Sequence, residues 1–400
     1  MGFGIAKLLI SHDYTVTTCT AGRSQTTISR ISSASIKGYD MDADFVGNSD
    51  IILSIVPPRD AVATAKRVAK AAQDDGALDA RSARKASAER LLYIDMNAIS
   101  PVTSRRIAQV LTQTGAGSKD RSNSEEQEDI QRPRRLSLRQ RLSSFANSQS
   151  LSPTSTISDV PLPRPPIPIS YLDGGIIGGP PYLPPKATTT TGGSSTNSSW
   201  ILPSLIVSGP PTTTDTLLPR SLQTILNATI VSPTIGHAST LKCSFASLTK
   251  GLTAIAILSF TTAQSQSPSI LPHLLNHLER YAPAQHKFLQ SSLPKMPHKA
   301  YRWIDEMREI GQTFSAPVDE QGGGFSNEAG KRLFDAVAEV YRVVSEDTEL
   351  GDRKQSDQGS RSGTGSSGGL KRTRSSIEEV ADGSERILKQ KPTERDSSLI

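Results

Sequence analysis

Residues 1–20 read MGFGIAKLLISHDYTVTTCT, and this stretch decides the fold class. Apolar residues recur at helical spacing from Gly2 to Ile10, and a polar corner follows at residues 11–14. Thr15 to Thr20 is then dominated by β-branched residues, which favour strands. A short helix that turns directly into a strand predicts one step of a doubly wound α/β sheet.

The glycine at position 2 is placed to be the last glycine of a G-x-G-x-x-G loop, in which backbone N–H groups approach a pyrophosphate at a helix N-terminus. The strand and the earlier glycines of such a loop are not in the sequence. In the common strand order that strand lies in the middle of the sheet. We therefore expect a Rossmann-like parallel sheet with its first strand missing, two unpaired strand edges, poor solubility and weak dinucleotide binding.

Strand and helix signals alternate up to about residue 113. Asp50 to Val56 is a short apolar run closed by Pro57 and Pro58, as in a strand buried on both faces. Residues 61–72 are helical in composition, and Leu91 to Asp95 reads as another buried strand. Strands separated by helices predict a parallel sheet.

Composition divides the remainder of the chain. Hydrophobic residues make up only 35% of the 400 residues and aromatic residues 5%, too little for one compact globule. Residues 167–173 read as an edge strand because of their proline, and the strand signal stops at Ala238, where an all-α domain begins. The predicted organisation is a dinucleotide-binding domain over 1–113 and 166–234 with a loop insert at 187–199, a disordered insertion at 114–165, a helical C-terminal domain over 235–345, and a disordered tail at 346–400.

The net charge, the cysteine count and the length of the apolar stretches limit which partners are expected. The net charge of +6 lies largely in polar segments without interleaved aromatic residues, so we expect no nucleic-acid partner. Two cysteines make neither a disulfide framework nor a metal site. Leu252 to Phe260 is too short to span a bilayer, and no secretory signal is present, so we expect a cytoplasmic protein without membrane contact. Ser137 follows Arg134-Arg135-Leu136 and is a possible kinase site.

Two strand ends are candidate binding segments. Asn97 follows the strand that ends at Asp95, at the sheet edge where open α/β sheets bind ligands, so it either contacts substrate or cofactor ribose or belongs to a turn that caps the next helix. In that turn, Ser100 is a natural N-cap. Residues 173–181 read DGGIIGGPP, and this glycine density indicates a ligand wall or a set of turns.

Lys242 lies in the first turn of the long helix that starts near Ala238, among small and apolar neighbours. Most helix lysines are solvated, but a desolvated lysine has a lowered pKa and can act as a general acid/base. Lys250 is the weaker candidate, and His237 is expected to cap or pack.

Together these segments resemble the β-hydroxyacid dehydrogenases, the group that includes 6-phosphogluconate dehydrogenase. The matching segments, in order, are residues 2–23, 51–58, 95–101, 173–181 and 236–242. Residues 300–310 are similar to the C-terminal domain of a phosphogluconate-dehydrogenase-like branch of that family.

The resemblance implies a nicotinamide cofactor, a helical second domain joined by a long helix, and a lysine that exchanges a proton with the substrate hydroxyl, a position that Lys242 matches. The chain departs from the family at Ile177, where a serine is usual, and at Ala246, where an asparagine is usual. The cofactor-binding residues so predicted are Gly2, Arg23, Ser24, Val56, Pro57 and Asn97, and the substrate-binding residues are Gly174, Gly175, Gly178 and Gly179.

The end of the second strand indicates which cofactor is bound. It reads Thr20-Ala21-Gly22-Arg23-Ser24 and has no carboxylate to hold the ribose hydroxyls of NAD. Arg23 and Ser24 instead suit a 2′-phosphate, so NADP is expected over NAD, unless Arg23 is merely a surface residue.

The sequence therefore predicts an NADP-dependent oxidoreductase that acts on a small-molecule substrate and forms a homodimer through the helical domain. The rival interpretation is a non-catalytic binding or regulatory protein, favoured by the missing glycines, Ile177 and Ala246. A third, a phosphorylation-controlled scaffold, depends on Ser137 alone.

Overall fold

The structure is a computed structural model that describes residues 1–84, 89–113, 164–184, 199–318, 322–324, 328–348 and 350. The insertion, the loop insert and the tail lie almost entirely outside these ranges. Their disorder, and the kinase site at Ser137, therefore stay predictions.

The N-terminal part alternates helices and strands, and the C-terminal part is helical. The first part contains α1 (Gly2–Ile10), β1 (Thr17–Cys19), α2 (Gln25–Ser33), β2 (Lys37–Tyr39), α3 (Asp42–Gly47), β3 (Ile51–Ser54), α4 (Ala61–Ala71), α5 (Asp75–Ala83), β4 (Leu91–Asp95), α6 (Pro101–Gln113), β5 (Ile169–Ile177), β6 (Ser204–Ser208), α7 (Pro211–Thr214), α8 (Arg220–Ile225) and β7 (Ala228–Ser232). The second part contains α9 (His237–Gln266), α10 (Ile270–Tyr281), α11 (Pro283–Ser292), α12 (Ala300–Ser315) and α13 (Ala329–Glu346). This order confirms the Rossmann-like fold followed by an all-α domain.

The main sheet has five strands in the order β3-β4-β5-β6-β7. Adjacent strands in this sheet run parallel, except for β5 and β6, which are antiparallel. The predicted parallel sheet is thus confirmed, with this one antiparallel pair as an exception that the sequence did not reveal. Among the described residues between Ile177 and Ser204 there is no crossover helix, and a parallel connection would need one.

The strand that was expected at the edge of the sheet, because of its proline, lies in the centre of the sheet. β5 pairs with β4 on one side and β6 on the other, and all but its last residue are buried. Pro168 directly precedes the strand, and its carbonyl accepts a hydrogen bond from the Leu91 N–H at 2.9 Å. The proline therefore removes no hydrogen bond from the sheet, and the edge-strand interpretation is corrected.

The sheet is interrupted where the missing strand was expected. β1 and β2 form a separate parallel pair, and no described strand joins β1 to β3. Between these two edges lies a cavity of ≈ 1000 Å³, lined by Met1 and Gly2 at one end and by Asp50 and Arg90 at the other. β3 is hydrogen-bonded to β4 through the carbonyls of Asp50 and Ser54, so the alternate backbone groups face the cavity.

α9 links the two parts of the fold. It packs against the sheet through β5 and against α12 and α13 in the helical domain, and it continues unbroken through Gly251. By length and composition it is the one described helix that could cross a bilayer, but 44% of its most apolar window is buried. Its inner face, with Cys243, Ile257 and Phe260, packs into the core of the helical domain.

Candidate functional site

The predicted site residues converge at one edge of the sheet. The N-terminus of α1 lies against the end of β3, where a Cβ added at Gly2 would be 3.8 Å from the Cβ of Ile55. A Cβ at Gly4 would lie 3.0 Å from the Pro181 carbonyl oxygen, so α1 also closely approaches the segment after β5. The sequence analysis named Gly2 but not Gly4, although a second glycine so near the start of α1 is a signal that another segment packs closely there.

The charges of several cationic side chains act on this end of α1. Burial lowers the pKa of the Met1 amino group, and the charges of Arg302, Arg30 and Lys299 lower it further. Two of these residues come from α12 and the segment before it, so the helical domain contributes to the site. A helix N-terminus with added positive charge suits a pyrophosphate.

Arg23 and Ser24 follow β1, which borders the cavity beside α1. Arg23 is exposed, lines the cavity, and its guanidinium forms no ion pair or hydrogen bond within the described part of the chain. Ser24 is the N-cap of α2 and accepts a hydrogen bond from the Thr27 N–H at 3.3 Å. Arg23 is thus available for an anion, whereas the Ser24 hydroxyl already caps a helix.

Asn97 is held in a buried network at the ends of β3 and β4. Its Oδ1 accepts from the Val56 N–H at 2.7 Å, and its Nδ2 donates to Ser54 Oγ and Asp95 Oδ2, each at 3.0 Å. The side chain therefore fixes the loop that contains Val56 and Pro57. Its amide already has partners at both ends, so any contact with a ligand would be additional.

Asp95 and Asp173 occupy paired positions on β4 and β5, and both are fully buried. Burial raises the pKa of Asp95 to about 7, and the nearby charge of Asp173 adds to this, against hydrogen bonds from Asn97 that lower it. A folded-state pKa above the unfolded value means that the folded chain holds the proton more tightly. This stabilisation is complete below about pH 4 and is lost as the pH rises towards 7.

We predict that Asp95→Asn removes this pH dependence. Between pH 4 and 7 the free energy of unfolding of the parent should fall by an extra amount on the order of a few kcal/mol relative to the variant. Urea titrations at several pH values measure the difference. Asp44→Asn, at an exposed position, should keep the parental slope, and parallel curves for the parent and Asp95→Asn would contradict the assignment.

Asp173 anchors the start of α9. Its carboxylate accepts hydrogen bonds from Ser104 Oγ and Ser208 Oγ, and from the backbone N–H groups of Gly236 and Ser239 at 3.0 and 2.9 Å. A carboxylate at a helix N-terminus is favourable. Sequence reasoning missed this role, because the serine and glycine partners are distant in sequence.

Lys242 lies one turn into α9, beside the glycines of β5. A Cβ at Gly175 would be 3.0 Å from the Cβ of Lys242, so the glycine makes room for the lysine stem. The Lys242 Nζ donates to the Ile176 carbonyl oxygen at 2.7 Å. The amine is therefore fixed at the carboxyl end of β5, at the sheet edge where α1 also begins.

The four glycines have different surroundings. A Cβ at Gly174 would lie 2.7 Å from the Asp95 carbonyl oxygen, so Gly174 permits close strand packing, as Gly175 does for Lys242. Gly178 has a φ of +114° and Gly179 has nothing within 4 Å of an added Cβ. The first pair thus shapes the protein itself, and the second pair forms an open turn.

Lys250 lies deeper in the helical domain, in an ion pair with Glu306 and 4.9 Å from the Trp303 ring centroid. Burial lowers the pKa of Lys250 to about 8. Burial also opposes the charge on Glu306, but the charges of Lys250 and Lys242 outweigh it and hold the Glu306 pKa below its usual value. Lys250 is therefore committed to a buried pair.

The helical domain is joined to the sheet domain at the start of α6. Ser100 caps α6, accepting from the Thr103 N–H at 3.1 Å, which confirms the predicted N-cap. Glu309 of α12 accepts from the Ser100 N–H at 2.7 Å and from the Thr103 hydroxyl at 2.9 Å. This carboxylate fixes α12 beside the edge where the site residues meet.

Two family models match the chain. Residues 1–121 match the NAD binding domain of 6-phosphogluconate dehydrogenase, and residues 266–344 match a domain of unknown function, DUF1932. Among curated proteins, no sequence matches the chain significantly.

Several solved structures are similar in chain path. A conserved hypothetical protein from Sinorhizobium meliloti 1021 is 15% identical with a TM-score of 0.47, over 95% of this chain and 92% of that one. A 3-hydroxyisobutyrate dehydrogenase from Salmonella typhimurium is 13% identical with a TM-score of 0.47, over 86% and 95%. An imine reductase from Myxococcus stipitatus in complex with NADP+ is 15% identical with a TM-score of 0.39, over 86% and 91%. With both of its domains matched in sequence order, the chain belongs to the 6-phosphogluconate dehydrogenase-like (β-hydroxyacid dehydrogenase) family, in the branch with a DUF1932 C-terminal domain.

Proposed function

We propose that the protein is an NADP-dependent oxidoreductase that transfers a hydride between the nicotinamide and a hydroxyl-bearing carbon of a small molecule in the cytoplasm. The family match supports NAD(P)-dependent oxidoreductase chemistry, but it does not choose between NAD and NADP or identify the substrate or the catalytic residue. The observation that carries the finer proposal is the position of Lys242, whose amine is fixed at the carboxyl edge of β5 beside the N-terminus of α9.

Lys242 is the general acid/base of this proposal. When the substrate alcohol is oxidised, the neutral Nζ takes the hydroxyl proton while a hydride leaves the carbon that bears that hydroxyl. In the reverse direction the charged Nζ returns the proton to the carbonyl oxygen. NADP, when bound, supplies the hydride acceptor or donor. Gly178 and Gly179 offer backbone groups in an open turn for orienting the substrate.

The residues around α1 fit the phosphates of the cofactor. The charges of Arg30, Lys299 and Arg302 act on the N-terminus of α1, and the Arg23 guanidinium has no partner among the described residues. Arg23 would hold the 2′-phosphate that distinguishes NADP from NAD. Val56 and Pro57 would line the cofactor from the end of β3, in the loop that Asn97 fixes.

A non-catalytic binding or regulatory protein is the second candidate. It is favoured by the internal hydrogen bonds of Asn97 and by Ala246, where the resemblance implies asparagine. Titration of NADPH followed by assays with 3-hydroxy carboxylates and the corresponding ketones separates the two candidates. Cofactor binding with turnover supports the enzyme, and the absence of turnover with every substrate supports the alternative.

We predict that Arg23→Ala weakens NADPH binding about tenfold to a hundredfold, because a charge-assisted hydrogen bond is worth about 1.5–3 kcal/mol. Binding of NADH should hardly change. Calorimetry gives the ratio of the two dissociation constants, which is informative even where both affinities are weak. Arg220→Ala, an exposed arginine at the start of α8, should leave the ratio unchanged. Equal losses for both cofactors would show that Arg23 does not choose between them.

A further inference from the structure

Two lysines of α9 lie near a single buried carboxylate of the helical domain. Lys242 and Lys250 are eight residues apart, which is about 12 Å along the helix and about a quarter turn around it. Glu306 of α12 is buried beside them. Its carboxylate pairs with the Lys250 amine, and the positive charge of Lys242 also acts on it. One carboxylate is therefore within electrostatic range of two ammonium groups.

The Lys250 amine is enclosed. Its side chain is 16% exposed, and its Nζ lies 4.9 Å from the centroid of the Trp303 ring. The Trp303 ring packs edge-on against Tyr341, with 5.0 Å between the ring centroids. The Tyr341 hydroxyl donates to the Lys250 carbonyl oxygen at 2.6 Å, which fixes this part of α9. Lys250 can therefore act on a reaction only through its neighbours.

The Lys242 amine has no carboxylate partner in the described part of the chain. Its Nζ donates to the Ile176 carbonyl oxygen at 2.7 Å, and the residue is only half-buried. A general base must be neutral before it can take a hydroxyl proton, whereas a nearby carboxylate favours the charged form of an amine. An uncompensated charge on Glu306 would therefore oppose the chemistry proposed for Lys242.

Lys250 compensates for this charge. Its ammonium is in direct contact with the Glu306 carboxylate, and the two side chains are only 16% and 8% exposed, so each cancels much of the field of the other. Buried ion pairs can often be replaced by apolar residues without loss of stability. Stability alone therefore does not account for the pair.

We propose that Lys250 sets the proton affinity of Lys242 by neutralising Glu306, the carboxylate that would otherwise hold the Lys242 amine in its charged form. Lys250 and Glu306 are then positioning residues that act through Lys242. The catalytic consequence rests on the proposed function, whereas the electrostatic coupling of the three side chains does not.

Other charged groups near this part of α9 form a constant background. Glu309 and Arg302 come from α12, Asp173 from β5, and His237 from the first position of α9. Glu309 and Asp173 already accept hydrogen bonds from backbone N–H groups. Because none of these residues changes in the test, differences between variants report on the pair.

The test measures how much of the Lys242 amine is neutral at pH 7. Trace acetic anhydride labels only neutral amines, and mass spectrometry of the peptide that contains Lys242 gives the labelling rate. At this pH most of the Lys250 amine is charged, because its pKa is about 8. In Lys250→Met the rate should fall about threefold to tenfold, because one uncancelled charge at roughly 12 Å shifts a pKa by about one unit.

The double variant Lys250→Met with Glu306→Gln should recover the parental labelling rate, because it removes both charges. A general loss of packing would not be repaired by a second substitution. Lys331→Met, which removes an exposed lysine paired with Asp335 on α13, is the matched control and should label Lys242 at the parental rate. Equal rates in the parent and Lys250→Met, or no recovery in the double variant, would overturn the proposal.

A second charge deletion keeps the result interpretable if the methionine variant folds poorly. Lys250→Gln removes the same charge, but its amide can still donate a hydrogen bond to Glu306. Circular dichroism shows whether each chain is folded, and Lys250→Gln should lower the labelling rate of Lys242 to the same extent. A folded Lys250→Gln chain with the parental rate would count against the coupling.

Turnover separates this inference from the proposed function. Alcohol oxidation at pH 7 should fall about threefold to tenfold in Lys250→Met and recover in the double variant, in parallel with the labelling. Labelling that changes as expected in a chain without turnover would support the coupling and contradict the proposed enzyme. Turnover that does not follow the labelling would overturn the catalytic part of the proposal.

Discussion

Fusing an apolar strand of about six residues and a Gly-x-Gly turn ahead of Met1 should raise both the solubility and the NADPH affinity of the chain. The cavity between β1 and β3 has a volume of ≈ 1000 Å³ and is bordered by two strand edges without a described partner. A strand placed there would pair with both edges, and the glycines would supply backbone N–H donors to the pyrophosphate at the N-terminus of α1.

The size of the effect follows from the donors. Two restored charge-assisted hydrogen bonds at about 1.5–3 kcal/mol each predict a gain in NADPH affinity of a hundredfold or more. Calorimetry measures the affinity, and light scattering measures the aggregation. A matched fusion with prolines at alternate strand positions should give neither gain, because proline lacks the N–H needed for pairing. Tight and equal binding with and without the fused strand would show that the cavity does not need one.

Lys242→Ala should lower turnover about a hundredfold or more, the usual scale for the loss of a general acid/base. NADPH affinity should change little, because Lys242 lies at the end of β5 and not at the cationic N-terminus of α1. The measurement is steady-state kinetics across pH in whichever form shows activity.

Two further variants show whether the effect belongs to the amine. Lys66→Ala, at an exposed position on α4, should retain normal kinetics. Lys242→Arg keeps the charge and the long side chain but cannot release its proton, so it should be nearly as slow as the alanine variant. Turnover within a few-fold of the parent in Lys242→Ala would remove the lysine from the mechanism.

The sequence predicted much of the N-terminal fold because its signals are local. Short buried apolar runs located β3 and β4, and helical spacing located α1 and α9. Short, exposed elements such as α2 and β2 were missed, since their residues make little apolar pattern. Pro168 misled the interpretation of β5, because a proline just before a strand and one within it look alike in a sequence.

The candidate site was less predictable because its contacts join distant segments. Lys242, Asn97 and the glycines were predicted as site residues from their positions and from the family resemblance, and their roles stay predictions. The Asp173 anchor of α9, the link from Glu309 to α6 and the buried pair of Lys250 with Glu306 join residues far apart in sequence. No local pattern marks such contacts.

The sequence by itself determined the fold class, the order of the domains and the lysine at the start of α9, because helical spacing, strand runs and capping residues act within a few neighbours. Only the tertiary structure decided how each residue is used. Packing placed the Asn97 amide in an internal network, brought Gly175 against the Lys242 stem and left Leu248 of α9 exposed in the described chain. These outcomes depend on which segments meet in space, and that is set by the burial of the whole core rather than by any one stretch of sequence.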